Sequence, residues 1–165
     1  PVNIGFFVKS GKQRTEGLEI GLAGRVTNSW DVFAAYTQQD GRVRNPISSG
    51  TAAAVASITP AGNKIGLVPD QVLSVWNKVS FGAGWAAGLG VIHQASSFTS
   101  FNNTVTLPAF TRIDGAAYYT FDKKTRLALN VENVGNKAYF PTLDGHNNIS
   151  PRAPPTYRLT LSTSL

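Results

Sequence analysis

Six side chains in segments rich in Gly, Pro, Ser and Asn have the types needed to hold a ligand: Arg44, Phe98, Phe101, Tyr139, Phe140 and His146. Aromatic rings offer flat apolar faces for stacking, and an arginine attracts an anion and lies readily over such a ring. Each also has an ordinary explanation. Loop aromatics pack against neighbouring loops, and an isolated loop histidine is commonly just solvated. Other chemistry-bearing patterns are few. Two His and no Cys give no useful metal-ligand spacing, so no metal site and no cofactor are expected. No nucleophile stands beside a base in a catalytic spacing, so no catalytic residues are assigned and an enzyme is not expected. The stretches "SSG" and "GTA" around Gly50 are loop composition rather than phosphate cradles. Gln13 and Arg14 with Glu19 supply charges to one strand face. Asn130, Glu132 and Asn133 end a strand and suit hydrogen bonding that fixes its rim.

The elements that position these residues are strands. Period-two alternation dominates and helical periodicity is nearly absent. The pattern predicts seven strands: Phe6–Val26, Trp30–Gln39, Val72–Phe81, Trp85–Gln94, Thr111–Phe121, Arg126–Val134 and Thr156–Leu165, the first fraying in its upper half. Most approach the ~9–11 residues that a tilted strand needs to cross a bilayer. Short turns at Thr27–Ser29, Gly82–Gly84 and Asp122–Lys124 alternate with long connections at Gly41–Gln71, Ala95–Phe110 and Gly135–Pro155. In an up-and-down meander this puts every short turn at one end and every long loop at the other, as in outer-membrane barrels. Sandwiches with Greek-key crossings put long connections at both ends.

Parity within the strands gives a second test. Leu18, Ile20, Leu22 and Val26 oppose Glu19 and Arg25. Leu73, Val75, Val79 and Phe81 oppose Ser74, Lys78 and Ser80. Ile113, Tyr119 and Phe121 oppose Arg112, Asp114 and Thr120. Leu127, Leu129 and Val131 oppose Arg126, Asn130 and Glu132, and Leu159 and Leu161 oppose Arg158 and Thr160. Phe33 breaks the polar face of the second strand. A cationic side chain on a lipid face at mid-depth costs about 2–4 kcal/mol, so charges confined to one face suit a bilayer. A half-buried soluble sheet also alternates. The loop asymmetry, the strand lengths and the aromatics Trp30, Phe81, Tyr119, Phe121 and Tyr157 near strand ends favour the membrane reading. The net charge of +6 is spread along the chain without a basic arm, so no nucleic-acid partner is expected. Ala52–Ala56 is the longest small-apolar run, far short of a spanning helix.

Seven strands with a lipid face would leave two unsatisfied edges in hydrocarbon, so they must pair with strands outside this sequence. No signal peptide is visible after Pro1. Two classes stand at this point: an outer-membrane barrel, with a passive pore or structural barrel among its possible roles, and a soluble β-sandwich binding module.

The motifs resemble those of TonB-dependent siderophore receptors. "SGKQRTEGLEIGLAGRVTNSWDVFAAYTQQD" is similar to the segment in which G-x-x-R-S-x-G-x-E-L-E precedes a short turn and an aromatic strand. "LVPDQVLSVW", "TLPAFTRIDGAAYYTF", "LALNVENVGNKAYF" and "GHNNISPRAPPTYRLTLSTSL" follow its later strand signatures in order. The chain departs from the pattern at Val134, Gly135 and Pro155, and at Leu165, where the family usually has an aromatic that the barrel-assembly machinery reads. The resemblance implies an all-β, antiparallel up-and-down transmembrane barrel of the 22-stranded, plugged class. Residues 1–165 are then expected to be its last seven strands, with plug domain, TonB box and signal peptide upstream. It also implies a multi-pass barrel in the bacterial outer membrane. Its expected partners are a ferric siderophore, the TonB complex through the plug, membrane lipid and lipopolysaccharide phosphates. The six candidate residues would then stack on or attract a siderophore, whose iron arrives already chelated.

Overall fold

The computed structural model describes residues 11–51, 54–140, 142–143, 149–151 and 154–164. The alternating sequence folds as strands throughout. In chain order they are β1 (Lys12–Thr27), β2 (Trp30–Asn45), β3 (Ile47–Thr51), β4 (Ala54–Thr59), β5 (Gln71–Gly82), β6 (Trp85–Gln94) and β7 (Ser97–Phe98). They continue with β8 (Thr106–Leu107), β9 (Phe110–Thr120), β10 (Thr125–Glu132), β11 (Thr142–Leu143), β12 (Ile149–Ser150) and β13 (Thr156–Thr163). Seven of them form one sheet in the order β1-β2-β5-β6-β9-β10-β13, every neighbour antiparallel. The other six pair as two-stranded hairpins, β3/β4, β7/β8 and β11/β12, each within one long connection.

The expected meander is therefore present, with differences at the strand ends. The second strand does not stop at Gln39. It runs on to Asn45, paired with β1 on one side, while on the other residues 62–70 fold back and take the place of β5 as its ladder partner. Gln39 N–H donates to Asp70 O, Ile65 N–H to Gly41 O, Val43 N–H to Asn63 O and Gly62 N–H to Val43 O, all at 2.8–2.9 Å. Nor does the start of β1 fray within the described residues: Lys12 is in register with Asn45. Phe6–Ser10 and Leu165, strand by their alternation, lie outside the described residues. The three hairpins were not anticipated by alternation.

Register fixes which side chains share a face. One row across five strands reads Leu22, Ala34, Val75, Val91, Ile113. The opposite face has a row across all seven: Arg25, Asp31, Lys78, Gly88, Ala116, Asn130, Arg158. The apolar face is open: Leu22 is 62% exposed and Leu159 69%. A sandwich would cover it with a second sheet, and none of the described residues does so. Two polar groups on that face are satisfied locally. Trp30 Nε1–H donates to Asn77 Oδ1 at 3.2 Å, and His93 Nδ1 and Thr111 Oγ1 are 2.8 Å apart. Trp30, Phe81, Trp85, Tyr119 and Phe121 gather at the short-turn end of the apolar face. There Tyr119 meets Trp85 at 4.7 Å and Phe121 edge-on at 4.7 Å.

The short turns are built by their sequence. Ala83 and Gly84 both have positive φ, which matches the twist of the strands that the two-residue turn joins. Asp122 accepts the backbone N–H groups of Lys124 and Thr125, each at 2.7 Å. These bonds hold its carboxyl below the usual carboxylate range. The wall is a single layer. Most of the buried side chains among the described residues, Val43, Ser97, Thr99, Leu107, Phe110, Asn133 and Tyr139, lie at the long-loop end.

Candidate functional site

Two polar assemblies stand out, one on the polar face of the sheet and one on the long-loop rim. The first begins with Arg112 and Asp114 on β9. Their spacing of two puts both on the same face. Arg112 donates to Asp114 Oδ2 from Nη2 at 2.7 Å and from Nε at 3.1 Å. Its Nη1 donates to Tyr139 Oη at 3.1 Å and lies 3.7 Å from Glu132 on β10. Asp114 Oδ1 accepts the backbone N–H of Asn133 at 2.8 Å. Asn133 sits at φ 57, and its side chain closes the following turn: Oδ1 accepts Lys137 N–H at 2.9 Å and Nδ2 donates to Lys137 O at 3.1 Å. That turn delivers Tyr139, whose ring stacks on Phe110 at 4.4 Å and 25°. Beside this network a cleft of 260 Å³ opens, lined in part by Trp76, Arg112, Asp114, Glu132 and Arg158.

The second assembly ties two long connections together. Lys64 Nζ donates to Asp40 at 2.7 Å and to Asp70 at 2.5 Å, and Arg42 Nε donates to Asp40 at 2.8 Å. Burial pulls the Lys64 ammonium down, but the hydrogen bonds to Asp40 and Asp70 outweigh it and raise its pKa. Asn103, at φ 56, accepts Lys64 N–H at 2.8 Å and returns a bond to Lys64 O at 3.0 Å. Asn63 donates to Phe101 O at 2.7 Å, and Leu67 N–H to Phe98 O at 2.8 Å. Residues 62–67 are thereby stitched to residues 98–103.

Among the described residues, the predicted ligand residues fall in different assemblies. Phe98 and Phe101 share the second assembly and are half-buried. Arg44 is exposed and paired with Glu16 at 3.2 Å, and Glu16 also meets Arg14. Tyr139 is 3% exposed and belongs to the first assembly, with half-buried Phe140 next to it. His146 lies outside the described residues. Asn133 fixes the strand rim as its position suggested. Lys64 and Asn103 were missed, since nothing in "NNTVT" or "GNKIG" marks them as partners across 39 residues. Among the described residues no group of three or more His, Asp or Glu could hold a metal ion.

Known proteins share this fold. The family model described as TonB dependent receptor-like, beta-barrel, matches residues 1–134. The chain belongs to the TonB-dependent receptor family. Its relatives include the probable TonB-dependent siderophore receptor PiuA of Acinetobacter baumannii, 27% identical over 135 residues, a match covering 81% of this chain and 18% of PiuA. The catecholate siderophore receptor Fiu of Escherichia coli K12 is 29% identical over 167 residues, covering 94% of this chain and 20% of Fiu. The chain thus spans about a fifth of the length of these relatives. The crystal structure of PiuA superposes with a TM-score of 0.84 at 24% identity, over 93% of this chain and 22% of PiuA. The closed form of Fiu gives 0.76 at 22%, over 98% of this chain and 22% of Fiu. The TonB-dependent receptor family consists of outer-membrane β-barrel receptors rather than enzymes. The apolar face of this sheet is therefore its lipid face and the polar face its lumenal face. In such barrels short turns face the periplasm and long loops the outside.

Proposed function

We propose that this chain closes the barrel wall of an outer-membrane receptor that imports a ferric siderophore in a TonB-dependent step. On this reading residues 1–165 are the last seven strands of the barrel, and a plug domain through which TonB acts lies upstream. The observation that carries it is the division of the sheet, row by row, into an open apolar face and a charged face, in a chain matched by the barrel model of this receptor family. The unpaired edges β1 and β13 then meet further strands of the same barrel, as hydrocarbon demands. PiuA and Fiu, a probable siderophore receptor and a catecholate siderophore receptor, favour a siderophore as cargo.

The long-loop rim is the capture surface. Phe98, Phe101 and Phe140 offer rings to the chelate, Arg44 attracts its negative charge, Tyr139 shapes the rim below, and His146 adds a loop contact. Iron enters as chelated cargo, so the receptor needs no metal ligands of its own. The outer face meets membrane lipid, cations near the rim meet lipopolysaccharide phosphates, and the barrel-assembly machinery inserts the strands.

The test is uptake. The full-length receptor gene is placed in a strain lacking its own siderophore receptors, and radioiron import is measured from catecholate, hydroxamate and mixed chelates, with and without TonB. Import of one class that requires TonB is expected. Free passage of unrelated small solutes, indifferent to TonB, would instead identify a passive pore.

A further inference from the structure

The lumenal face has a cationic cleft at its periplasmic end that the assemblies above leave unused. Tyr118 on β9 faces the lumen there. Lys78 Nζ from β5 lies 5.6 Å from its ring centroid, and Arg126 Cζ from β10 lies 4.6 Å from it. Between β5 and β9 stand Ala86 and Gly88 on β6, small enough to leave a trough. The resulting cleft, 190 Å³, is lined by Lys78, Ser80, Ala86, Tyr118, Thr120 and Arg126, among other residues.

The charge here is uncompensated. Among the described residues, neither Lys78 nor Arg126 has a carboxylate within ion-pair distance. Asp31 is in register with Lys78, but its carboxylate is bonded to Arg25 at 3.3 Å. Asp122 is occupied by its own turn. Other lumenal cations differ. Arg25 and Arg112 have acids on their own sheet, and Arg158 stands on the edge strand β13, where a further strand could supply one. Strands β5 and β10 already have both neighbours, so a counter-charge for Lys78 and Arg126 must come from within the lumen. Lys78 is half-buried and Arg126 exposed on the described wall, and a domain filling the barrel would cover both and would have to supply that counter-charge. The hydroxyls of Ser80 and Thr120 would donate to the same oxygens.

We infer that Lys78, Arg126 and Tyr118 form a docking cleft for a carboxylate side chain carried by the domain that fills this barrel, an anchor at the periplasmic end of the wall. The inference rests on the plugged-receptor reading above. The test uses the full-length receptor in detergent with a zero-length carbodiimide, which joins an amine only to a carboxylate in contact with it. Peptide mass spectrometry is expected to find Lys78 joined to an Asp or Glu of the upstream domain. Absence of that linkage while other lysines of the same sample react, or linkage to Asp31 alone, overturns the inference. A second measurement uses Lys78→Gln with Arg126→Gln. Protection of the upstream domain from protease should be lost, and Lys78→Arg with Arg126→Lys should retain it. Equal protection in both variants overturns the inference. Conductance in planar bilayers separates the two levels. An open pore in the unaltered receptor removes the plugged-receptor reading itself, whereas a closed receptor without the Lys78 linkage removes only the anchor.

Discussion

The backbone N–H of Asn133 donates to Asp114 Oδ1 at 2.8 Å, while the other oxygen of the same carboxylate holds Arg112 at 2.7 Å. One carboxylate thus ties the end of β10 to β9 and orients the guanidinium that carries Tyr139. The rim turn and the lumenal charge pair are a single unit. Asn133, at positive φ, supplies the left-handed residue that lets the chain leave β10 and come back over Phe110.

Two substitutions of Asp114 separate its roles in the full-length receptor. Asp114→Ala removes both acceptors and should lower stability by about 1.5–3 kcal/mol, the range for a hydrogen bond to a charged group. Asp114→Asn keeps an acceptor for Asn133 and should cost less. Hydrogen exchange across residues 133–139 reports the turn directly. Unchanged protection in the alanine variant would mean that the turn does not depend on Asp114.

Trp76 makes a second prediction, because its ring lies over Gly88 and Gly90. A Cβ built on either glycine runs into the indole. Gly90→Val therefore drives Trp76 off β6 toward Phe33, its register neighbour on β2, which is 64% exposed on the lumenal face. Overpacking of this kind costs about 1–3 kcal/mol. A shift in tryptophan emission that is absent in a Trp76→Phe background would confirm it. An unshifted spectrum would show that the wall yields elsewhere.

The pleat made most of this fold legible. Alternation exposed the seven strands and their faces, because the lipid side tolerates few charges and the lumenal side many. It failed where a partner was not local. Gly41, Arg42 and Val43 read as loop, and are strand because β1 pairs with them on one side and residues 62–65 fold back beside them on the other. The bond from Asn103 to Lys64 joins two loops with no periodicity. Nothing in the sequence around Tyr139 reveals that Phe110 and Arg112 lie under its ring.

Leu159 and Thr160 are adjacent on β13 and point to opposite sides of the wall, in register with Leu129 and Ala128. The same arginine placed at each should therefore have different costs. Leu159→Arg meets hydrocarbon and should destabilise the folded barrel by about 2–4 kcal/mol if it lies at mid-depth. Thr160→Arg meets the lumen and should cost much less. Urea-induced unfolding in lipid bilayers, with the heat-modifiable gel band as a parallel readout, gives the difference. Equal losses would contradict the assignment of faces.

The turn between β9 and β10 should respond to acid. Asp122 has its pKa lowered in the fold, from an ordinary value of 3.8, by the backbone N–H groups of Lys124 and Thr125. A carboxyl lowered in this way contributes stability above its unfolded-state pKa. That contribution declines as pH falls below that value and is gone once pH has passed the folded-state pKa. Because Asp122 is fully solvated, the effect should be confined to the turn. The expected result is faster exchange of the Lys124 and Thr125 amides, after correction for the intrinsic pH dependence, only in the acid range below pH 3.8. Asp122→Ala should show fast exchange at every pH, since both acceptor bonds are gone. A turn equally protected in the variant and the unaltered chain would show that the backbone bond from Phe121 N–H to Thr125 O, rather than the Asp122 carboxylate, closes this end of the sheet.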